Sequence, residues 1–173
     1  LALEWVAYVA GKRESRRLMG DVVLTQNDIL RQVAYDDASV TTSWTIDLHY
    51  PDPKNTRFFP GDEFKAVCNQ EEIELYPIPY RCFYSRNVSN LFMAGRNISV
   101  THVALGTVRV MRTTAMMGEV VGMAAAVCRR HDVLPRTVYT SYLPELRSLM
   151  QKGCGQQDLP NNQQFNIGRR KHH

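Results

Sequence analysis

The sequence has few of the features that would place it in a specialised class of protein. Its four cysteines are widely and irregularly spaced, and no two of them form a CxxC pair. This spacing argues against a zinc site or a thioredoxin-type redox pair, so we predict no bound metal. Free, partly buried thiols are the simplest interpretation, and they favour a reducing compartment. We therefore expect a cytoplasmic location, unless the full-length protein is exported.

Long apolar runs are also missing. The most hydrophobic stretch, Ala115–Cys128, is interrupted by Glu119. It is also shorter than the roughly 20 residues that a helix needs to cross a bilayer. We therefore predict no membrane span.

Positive charge is present only in modest excess. The 173 residues carry a net charge of +4, and part of this comes from the terminal cluster Arg169–Lys171. Nucleic-acid binding needs a denser basic face with interleaved aromatic residues, so we predict no nucleic-acid partner. The hydrophobic share of 44% is ordinary for a soluble globular domain with a core of its own.

Motifs of the common hydrolases and phosphotransferases are absent as well. The chain has no Ser-His-Asp order, nucleophile elbow, HExxH or Walker sequence, so those reactions have no support. Asp36 and Asp37 form an acidic pair. Because adjacent side chains usually point apart, paired acid–base catalysis there is not expected.

What the chain does contain is a distinctive central stretch, residues 90–128. Leu91–Ala94 is a short apolar run that ends on Gly95, as a buried strand would. A polar bend, Arg96–Arg112, follows, and then a helix-favouring segment, Thr113–Cys128. A strand, a tight turn and a helix that points back at the turn commonly hold a nucleotide cofactor.

Small residues in this stretch support the same interpretation. Gly118, Gly122 and Ala126 recur every four residues and remove bulk from one helix face, which predicts close packing against a sheet or another backbone. Gly95 and Gly106 let the backbone approach a ligand without a Cβ in the way. The N-terminus of the following helix would stabilise negative charge, with a plain structural turn as the alternative.

The polar bend also contains a histidine, His102, with several polar neighbours. A cluster of this kind can orient a substrate or move a proton. The neighbours along the sequence are Ser99, Thr101, Arg109 and Arg112. His49, at the end of a predicted strand Thr41–Leu48, is a second candidate by the same reasoning. For both, a hydrogen-bonded structural histidine is the alternative.

The flanking segments predict further elements of both kinds. They are a helix over residues 1–10, a strand Leu18–Leu24, a helical turn Gln26–Val33 with a capping box from Thr25 and Asp28, a loop over residues 50–74, extended backbone Tyr76–Arg81, and a helix Ser141–Gly153. The charge cluster Lys12–Arg17 is either a solvated turn or a place where arginine reaches an anionic ligand.

Several of these segments together resemble a known family. NLFMAGR, a bend and RTTAMMGEVVGMAAA are similar to the second, C-terminal flavin-binding motif of FAD-dependent oxidoreductases. More narrowly, the chain resembles a bacterial family of these enzymes in the order of seven segments, namely GKRESRR, LTQND, SWTIDLH, YPIPYR, NLFMAGRNIS, THVALG and VRVMRT. Each motif is weak alone, but their order from about Ala10 to Gly153 is specific.

The resemblance implies an α/β fold, namely the C-terminal part of a Rossmann-like FAD/NAD(P)-binding fold with a β-rich substrate-domain portion. It implies a division into a substrate portion with a preceding helix end (1–86), a flavin-binding strand, turn and helix with a following helix (87–153), and a tail (154–173). It also implies transfer of hydride or electrons between a small organic substrate and FAD.

The resemblance assigns roles to individual residues. His102, Arg109 and His49 would face the substrate as catalytic residues. The residues that would contact or shape the flavin site are Gly95, Arg96, Asn97, Ser99, Gly106, Thr107, Val108, Arg109 and Arg112.

Two features depart from the usual flavoprotein pattern. Arg96 follows Gly95, where many flavoproteins carry an acidic residue for the ribityl chain, so contact would be through backbone amides or to phosphate. The GxGxxG dinucleotide fingerprint is also absent. We therefore expect a C-terminal portion that needs an N-terminal FAD-binding half as partner and binds FAD weakly or not at all alone. The rival hypothesis is an interaction or accessory domain without cofactor.

Overall fold

A computed structural model of the chain describes residues 16–51 and 66–154. In this part of the chain, one short helix is followed by four strands and then by four helices. The helices are α1 (Gln26–Leu30), α2 (His102–Val108), α3 (Met111–His131), α4 (Pro135–Ser141) and α5 (Leu143–Lys152). The strands are β1 (Ala38–Thr42), β2 (Ile46–Pro51), β3 (Ala66–Glu71) and β4 (Tyr76–Pro79), and a 3-10 turn follows at Tyr80–Cys82.

The four strands form two small antiparallel sheets. β1 pairs with β4, with an irregularity in register between Ala38 and Val40. β2 pairs with β3 over six residues, from Ile46 opposite Glu71 to Pro51 opposite Ala66. The described residues are therefore a mixed α/β structure, as predicted. They contain no parallel sheet, so the Rossmann-like part of the expectation stays a prediction.

The single predicted strand Thr41–Leu48 is wrong, because the chain changes partner in its middle. β1 ends at Thr42 and β2 begins at Ile46. Between them, the backbone carbonyl of Trp44 accepts a hydrogen bond from the hydroxyl of Thr107 in α2. This contact with α2 takes the intervening residues out of the sheet, so that β1 and β2 belong to different ribbons.

Two other predicted strands are also absent from the described residues. Leu18–Leu24 forms only an isolated parallel bridge, between Leu24 and Val100. Leu91–Ala94 forms only the bridge between Phe92 and Tyr84. Scattered backbone hydrogen bonds, such as Met93 N–H to Phe83 C=O at 2.7 Å, satisfy these segments without a continuous ladder.

The predicted loop over residues 50–74 is wrong at residues 50–51 and 66–71 and is confirmed at residues 72–74, which form no helix or strand. β2 continues to Pro51, and β3 supplies its partner from Ala66 to Glu71. β3 has three apolar residues followed by three polar ones, and its described side chains are exposed. It therefore lacks the alternation of apolar and polar residues that predicts a strand.

Helix ends follow the sequence closely. The predicted capping box at α1 is confirmed: the Thr25 side chain accepts a hydrogen bond from Asp28 N–H, and the Asp28 carboxylate accepts one from Thr25 N–H at 2.8 Å. α5 ends at Gly153, whose φ of +66° favours glycine. The last turn of α3 carries Arg129, Arg130 and His131, whose positive charge complements the helix dipole when His131 is protonated.

The predicted bend Arg96–Arg112 contains a helix that the sequence did not indicate. Thr101 caps α2 by accepting a hydrogen bond from Ala104 N–H at 3.4 Å, and Arg109 ends it. Gly106, predicted as a turn residue, therefore lies inside a helix. The helix has only seven residues and a glycine, so its intrinsic propensity is low and tertiary packing holds it.

The small-residue face of α3 does not pack as predicted. Gly118, Gly122 and Ala126 are exposed, and a Cβ at either glycine would meet no described atom within 4 Å. The opposite face of α3 enters the hydrophobic core instead, through Met117, Ala124 and their buried neighbours. The expectation of close packing is thus wrong for contacts within the described residues.

A buried ion pair ties β1 to the segment after β4. Asp37 is fully buried and accepts hydrogen bonds from the backbone N–H of Arg81 and from its guanidinium, at 2.8–2.9 Å. The guanidinium also lies 4.5 Å from the ring centroid of Tyr139 and contacts Asp36 at 3.0 Å. The two adjacent aspartates therefore share one arginine, which binds both carboxylates.

Several expectations fall beyond the described residues. The helix predicted over residues 1–10, most of the Lys12–Arg17 cluster and nearly all of the tail lie outside them. Within the described ranges, no helix is both long enough and apolar enough to span a membrane. The hydrophobic core includes residues on both sides of the 86/87 boundary, and that boundary stays a prediction.

Candidate functional site

A cavity of about 150 Å³ lies where α2 crosses β2. Three of its lining residues, Asp47, Leu48 and His49, are consecutive in β2. The others come from α2 and its C-terminal end: His102, Leu105, Gly106 and Arg109. The cavity thus brings together the three predicted catalytic residues. His102 and Arg109 lie at the two ends of α2, and His49 precedes them by 53 and 60 positions in the sequence.

Close approach of helix and strand sets the floor of this cavity. A Cβ at Gly106 would lie 2.8 Å from the backbone N and 2.9 Å from the backbone O of Asp47. Such distances are not tolerated, so only glycine lets α2 lie this close to β2. The neighbouring Thr107 ties α2 to the end of β1, because its hydroxyl lies 2.9 Å from that of Thr42.

Arg109 is held at the cavity by Asp47. Its guanidinium donates to the Asp47 backbone carbonyl at 3.1 Å and lies 3.4 Å from the Asp47 carboxylate. The arginine side chain is 17% exposed and the aspartate side chain 13% exposed. The cation is therefore oriented and partly desolvated, but still reachable from the cavity.

The carboxylate of Asp47 is the centre of a polar cluster on one face of the β2–β3 ribbon. It contacts His49 Nε2 at 3.1 Å, Cys68 Sγ at 3.3 Å and Gln70 Nε2 at 3.4 Å. Burial acts to raise the pKa of Asp47, but these hydrogen bonds outweigh it and hold the pKa below its ordinary value. The same contact raises the pKa of the Cys68 thiol, because ionising it would leave two anions side by side.

His102 is exposed at the rim of the cavity. It is the first residue of α2, and its ring lies 6.4 Å from that of Tyr50, centroid to centroid, at a tilt of 58°. No described carboxylate is paired with it. Its ring nitrogens are therefore available to a bound molecule.

A second cavity, of about 380 Å³, lies at the start of α3. Its lining residues are Gly95, Arg96, Arg109, Met111 and Thr114. Gly95 has a φ of +100°, and a Cβ there would meet no described atom within 4 Å. The N-cap of α3 is Val110, which offers no side-chain hydrogen bond, so the first N–H groups of a 21-residue helix border this cavity without a side-chain cap.

The predicted cofactor-binding residues fall into three groups. Gly95, Arg96 and Arg109 line the second cavity, whereas Gly106 lines the first. The side chains of Ser99, Thr107 and Val108 are buried, and the Ser99 hydroxyl has no hydrogen-bond partner among the described residues. Asn97 and Arg112 are exposed and line neither cavity.

Sequence reasoning missed several residues of the site. Asp47, Cys68 and Gln70 were passed over because the strand pairing that brings them together was not foreseen. The alternation of Asp47 and His49 on one strand face was the available signal for Asp47. Met111, which is 88% exposed beside the second cavity, had no signal of its own.

These features define an α/β protein with two adjoining cavities, one bordered by a long helix N-terminus and one by titratable side chains. The family described as FAD dependent oxidoreductase matches residues 1–150, and the chain belongs to that family. A search of curated proteins returned no match. A search of solved structures likewise returned none.

Proposed function

We propose that this chain supplies the flavin edge and the substrate cavity of an FAD-dependent oxidoreductase that acts on a small organic substrate. The observation that carries the proposal is the position of Arg109. Its side chain lines both cavities, so a ligand in each would share one wall. Two ligands that contact the same residue lie close together, and proximity is what a transfer reaction between them needs.

The second cavity suits the ring end of a flavin. Gly95 leaves open the space that a Cβ would fill, and the start of α3 presents N–H groups without a side-chain cap. A helix N-terminus stabilises negative charge, which a flavin carries at its pyrimidine edge when reduced. Gly95, Arg96, Arg109, Met111 and Thr114 would hold the ring, and the bound flavin would supply a hydride acceptor or donor.

The first cavity suits a substrate with an acidic or polarised oxygen. Arg109 can donate to such an oxygen, and Asp47 fixes the direction of its guanidinium. His102 at the rim can take up or return the proton that accompanies hydride loss from a C–H group. His49, on the opposite wall, is already hydrogen-bonded to Asp47 and would position the substrate.

Filling the second cavity tests the proposal without knowledge of the substrate. In the intact protein, Thr114→Trp should occupy this cavity and abolish the visible flavin absorption of the purified product. Thr140→Trp is the matched control, because Thr140 is exposed on α4 and lines neither cavity. An intact wild-type protein that is purified without flavin and takes up no added FAD would remove the enzymatic reading in favour of the accessory domain.

The variant His102→Ala tests the role of the first cavity separately from flavin binding in the second. We expect this variant to keep its flavin absorption but to lose anaerobic bleaching by the small carboxylates, hydroxy acids or amines that bleach the wild type. Unchanged bleaching would remove His102 from the catalytic residues and leave the flavin assignment intact.

A further inference from the structure

We propose that Asp47, His49 and Cys68 form a binding site for one divalent metal ion of the zinc type. Each residue offers one ligand atom, and these three atoms all lie within 4.8 Å of one another. The three residues supply the three donor types that zinc prefers, namely carboxylate oxygen, imidazole nitrogen and thiolate sulfur. The proposal does not require a bound flavin, but two of the three residues, Asp47 and His49, also line the first cavity.

Strand pairing explains why the three side chains converge. Asp47 and His49 are two residues apart on β2, so both point to the same face of the ribbon. Cys68 lies directly opposite His49 on β3, and Gln70 lies opposite Asp47. The site is therefore preorganised on a regular ribbon and not on a loop.

The distances match those around a tetrahedral zinc ion. Metal–ligand bonds of about 2.0–2.3 Å at tetrahedral angles place neighbouring ligand atoms about 3.4–3.6 Å apart. The structure has 3.1 Å between His49 Nε2 and Asp47 Oδ2, and 3.3 Å between Cys68 Sγ and the other oxygen, Asp47 Oδ1. Rotation of the exposed His49 and Cys68 side chains and of the largely buried Asp47 carboxylate would admit the ion, and the fourth position would be open to water.

A metal ion can reach the site from solvent, and water accepts the proton that binding releases. His49 is half-exposed at 49% and Cys68 is exposed, so an ion can enter from solvent. Binding replaces the hydrogen bonds to Asp47 by metal bonds. The Cys68 thiol gives up its proton to water, and His49 binds through neutral Nε2.

Arg109 opposes metal binding and provides a diagnostic. Its guanidinium lies 3.4 Å from the Asp47 carboxylate and repels a divalent cation. Replacing it with glutamine should therefore tighten metal binding severalfold, whereas loss of a ligand should weaken it. A merely structural effect of either substitution would not produce these opposite signs.

Cobalt titration of the metal-stripped full chain tests the site. Co²⁺ bound to a thiolate gives a sulfur-to-cobalt charge-transfer absorption that oxygen and nitrogen ligands do not give. We expect this band to saturate at one equivalent of Co²⁺ and to disappear on addition of excess Zn²⁺. His172 and His173 at the end of the chain can bind cobalt but supply no sulfur.

Two cysteine variants distinguish this site from adventitious binding. Cys68→Ser should abolish the band. Because Cys68 is exposed, the substitution should leave the fold intact, and circular dichroism checks this. Cys154→Ser is the matched control, because Cys154 is another exposed free thiol and is not part of the cluster. No band in the wild type, or a band that survives in Cys68→Ser, would overturn the proposal.

Discussion

Gly106 of α2 lies directly against the backbone of Asp47 in β2. A Cβ at this glycine would come within 2.8 Å of the Asp47 nitrogen and 2.9 Å of its carbonyl oxygen. Both obstructing atoms are backbone atoms of a paired strand, so they cannot rotate away. The contact positions the two elements that line the first cavity, and its disruption should alter that cavity.

Gly106→Ala should therefore destabilise the protein despite the better helix propensity of alanine. Overpacking of this kind typically costs about 1–3 kcal/mol, which exceeds the roughly 1 kcal/mol gained in the helix. The measurement is the free energy of unfolding from chemical denaturation. Because α2 carries His102 and Arg109, binding in the first cavity should weaken as well.

Gly118→Ala is the matched control on another helix. A Cβ there meets no described atom within 4 Å, so the substitution should stabilise α3 by about 0.5–1 kcal/mol. A large loss of stability for Gly118→Ala in the intact protein would show that another part of the molecule covers this face. Equal effects at both glycines would contradict the geometry at Gly106.

The adjacent residues Asp36 and Asp37 should differ sharply in their importance for stability. Asp37 is fully buried and paired with Arg81, so Asp37→Ala would leave a partly buried guanidinium without its main partner. Breaking such a pair from one side costs about 3–5 kcal/mol. Denaturation at neutral pH should show a loss of this size.

Asp36→Ala provides the comparison within the same network. The Asp36 side chain is 61% exposed, and its contact with Arg81 at 3.0 Å is one of several that the guanidinium makes. An exposed ion pair contributes about 0–1 kcal/mol, so this variant should stay close to wild type. A similar loss for both variants would contradict the assignment of Asp37 as the buried partner.

The sequence predicted structural features that depend on neighbouring residues, but not those that depend on residues far apart in the chain. The capping box of Thr25 and Asp28 and the stop at Gly153 are local, and both were predicted correctly. The change of partner between β1 and β2 depends on Thr107, 63 residues from Trp44, and no local pattern reports it. β3 was missed because its three apolar residues precede its three polar ones, which gives no hydrophobic alternation.

The candidate site divides in the same way. His49, His102 and Arg109 were chosen for their chemistry, and the structure places all three at one cavity. Asp47 and Cys68 needed the strand register, which a sequence does not contain. The family resemblance assigned Ser99 and Thr107 to the flavin site. Both side chains are buried, Thr107 is hydrogen-bonded to Thr42, and the assignment stays a prediction.

The contact between α3 and α5 should make stability depend on pH at the acidic end. The hydrogen bond from His131, with Arg130 contributing, lowers the pKa of Glu145 below its ordinary value. A lowered pKa in the folded state stabilises the protein above the ordinary glutamate pKa of about 4.3. This contribution is lost as the pH falls below that value and through the folded-state pKa.

Glu145→Gln should therefore flatten the acid side of the stability profile, measured as the free energy of unfolding between neutral pH and about pH 3. Glu74→Gln is the control, because Glu74 is exposed and forms no ion pair with a described residue. If Glu145→Gln retains the wild-type slope, other carboxylates account for it and the α3–α5 ion pair is not the cause.

The N-terminus of α3 offers a test of flavin placement that does not involve the catalytic residues. Val110 has φ −72° and ψ 148°, which is the backbone conformation of a normal N-cap, but valine cannot accept a hydrogen bond from the helix. Val110→Asn and Val110→Asp should both cap α3 and raise stability by about 0.5–2 kcal/mol. Thermal unfolding of the flavin-free chain measures this gain.

The two caps should differ once flavin is bound. By the proposed function, the start of α3 faces the flavin edge that becomes negative on reduction. The aspartate would add a like charge there, worth about 0.3–1 kcal/mol, and should lower the two-electron potential by roughly 6–22 mV relative to the asparagine variant. Equal potentials for Val110→Asp and Val110→Asn in the flavin-loaded protein would place the flavin away from this helix end, whatever their common effect on stability.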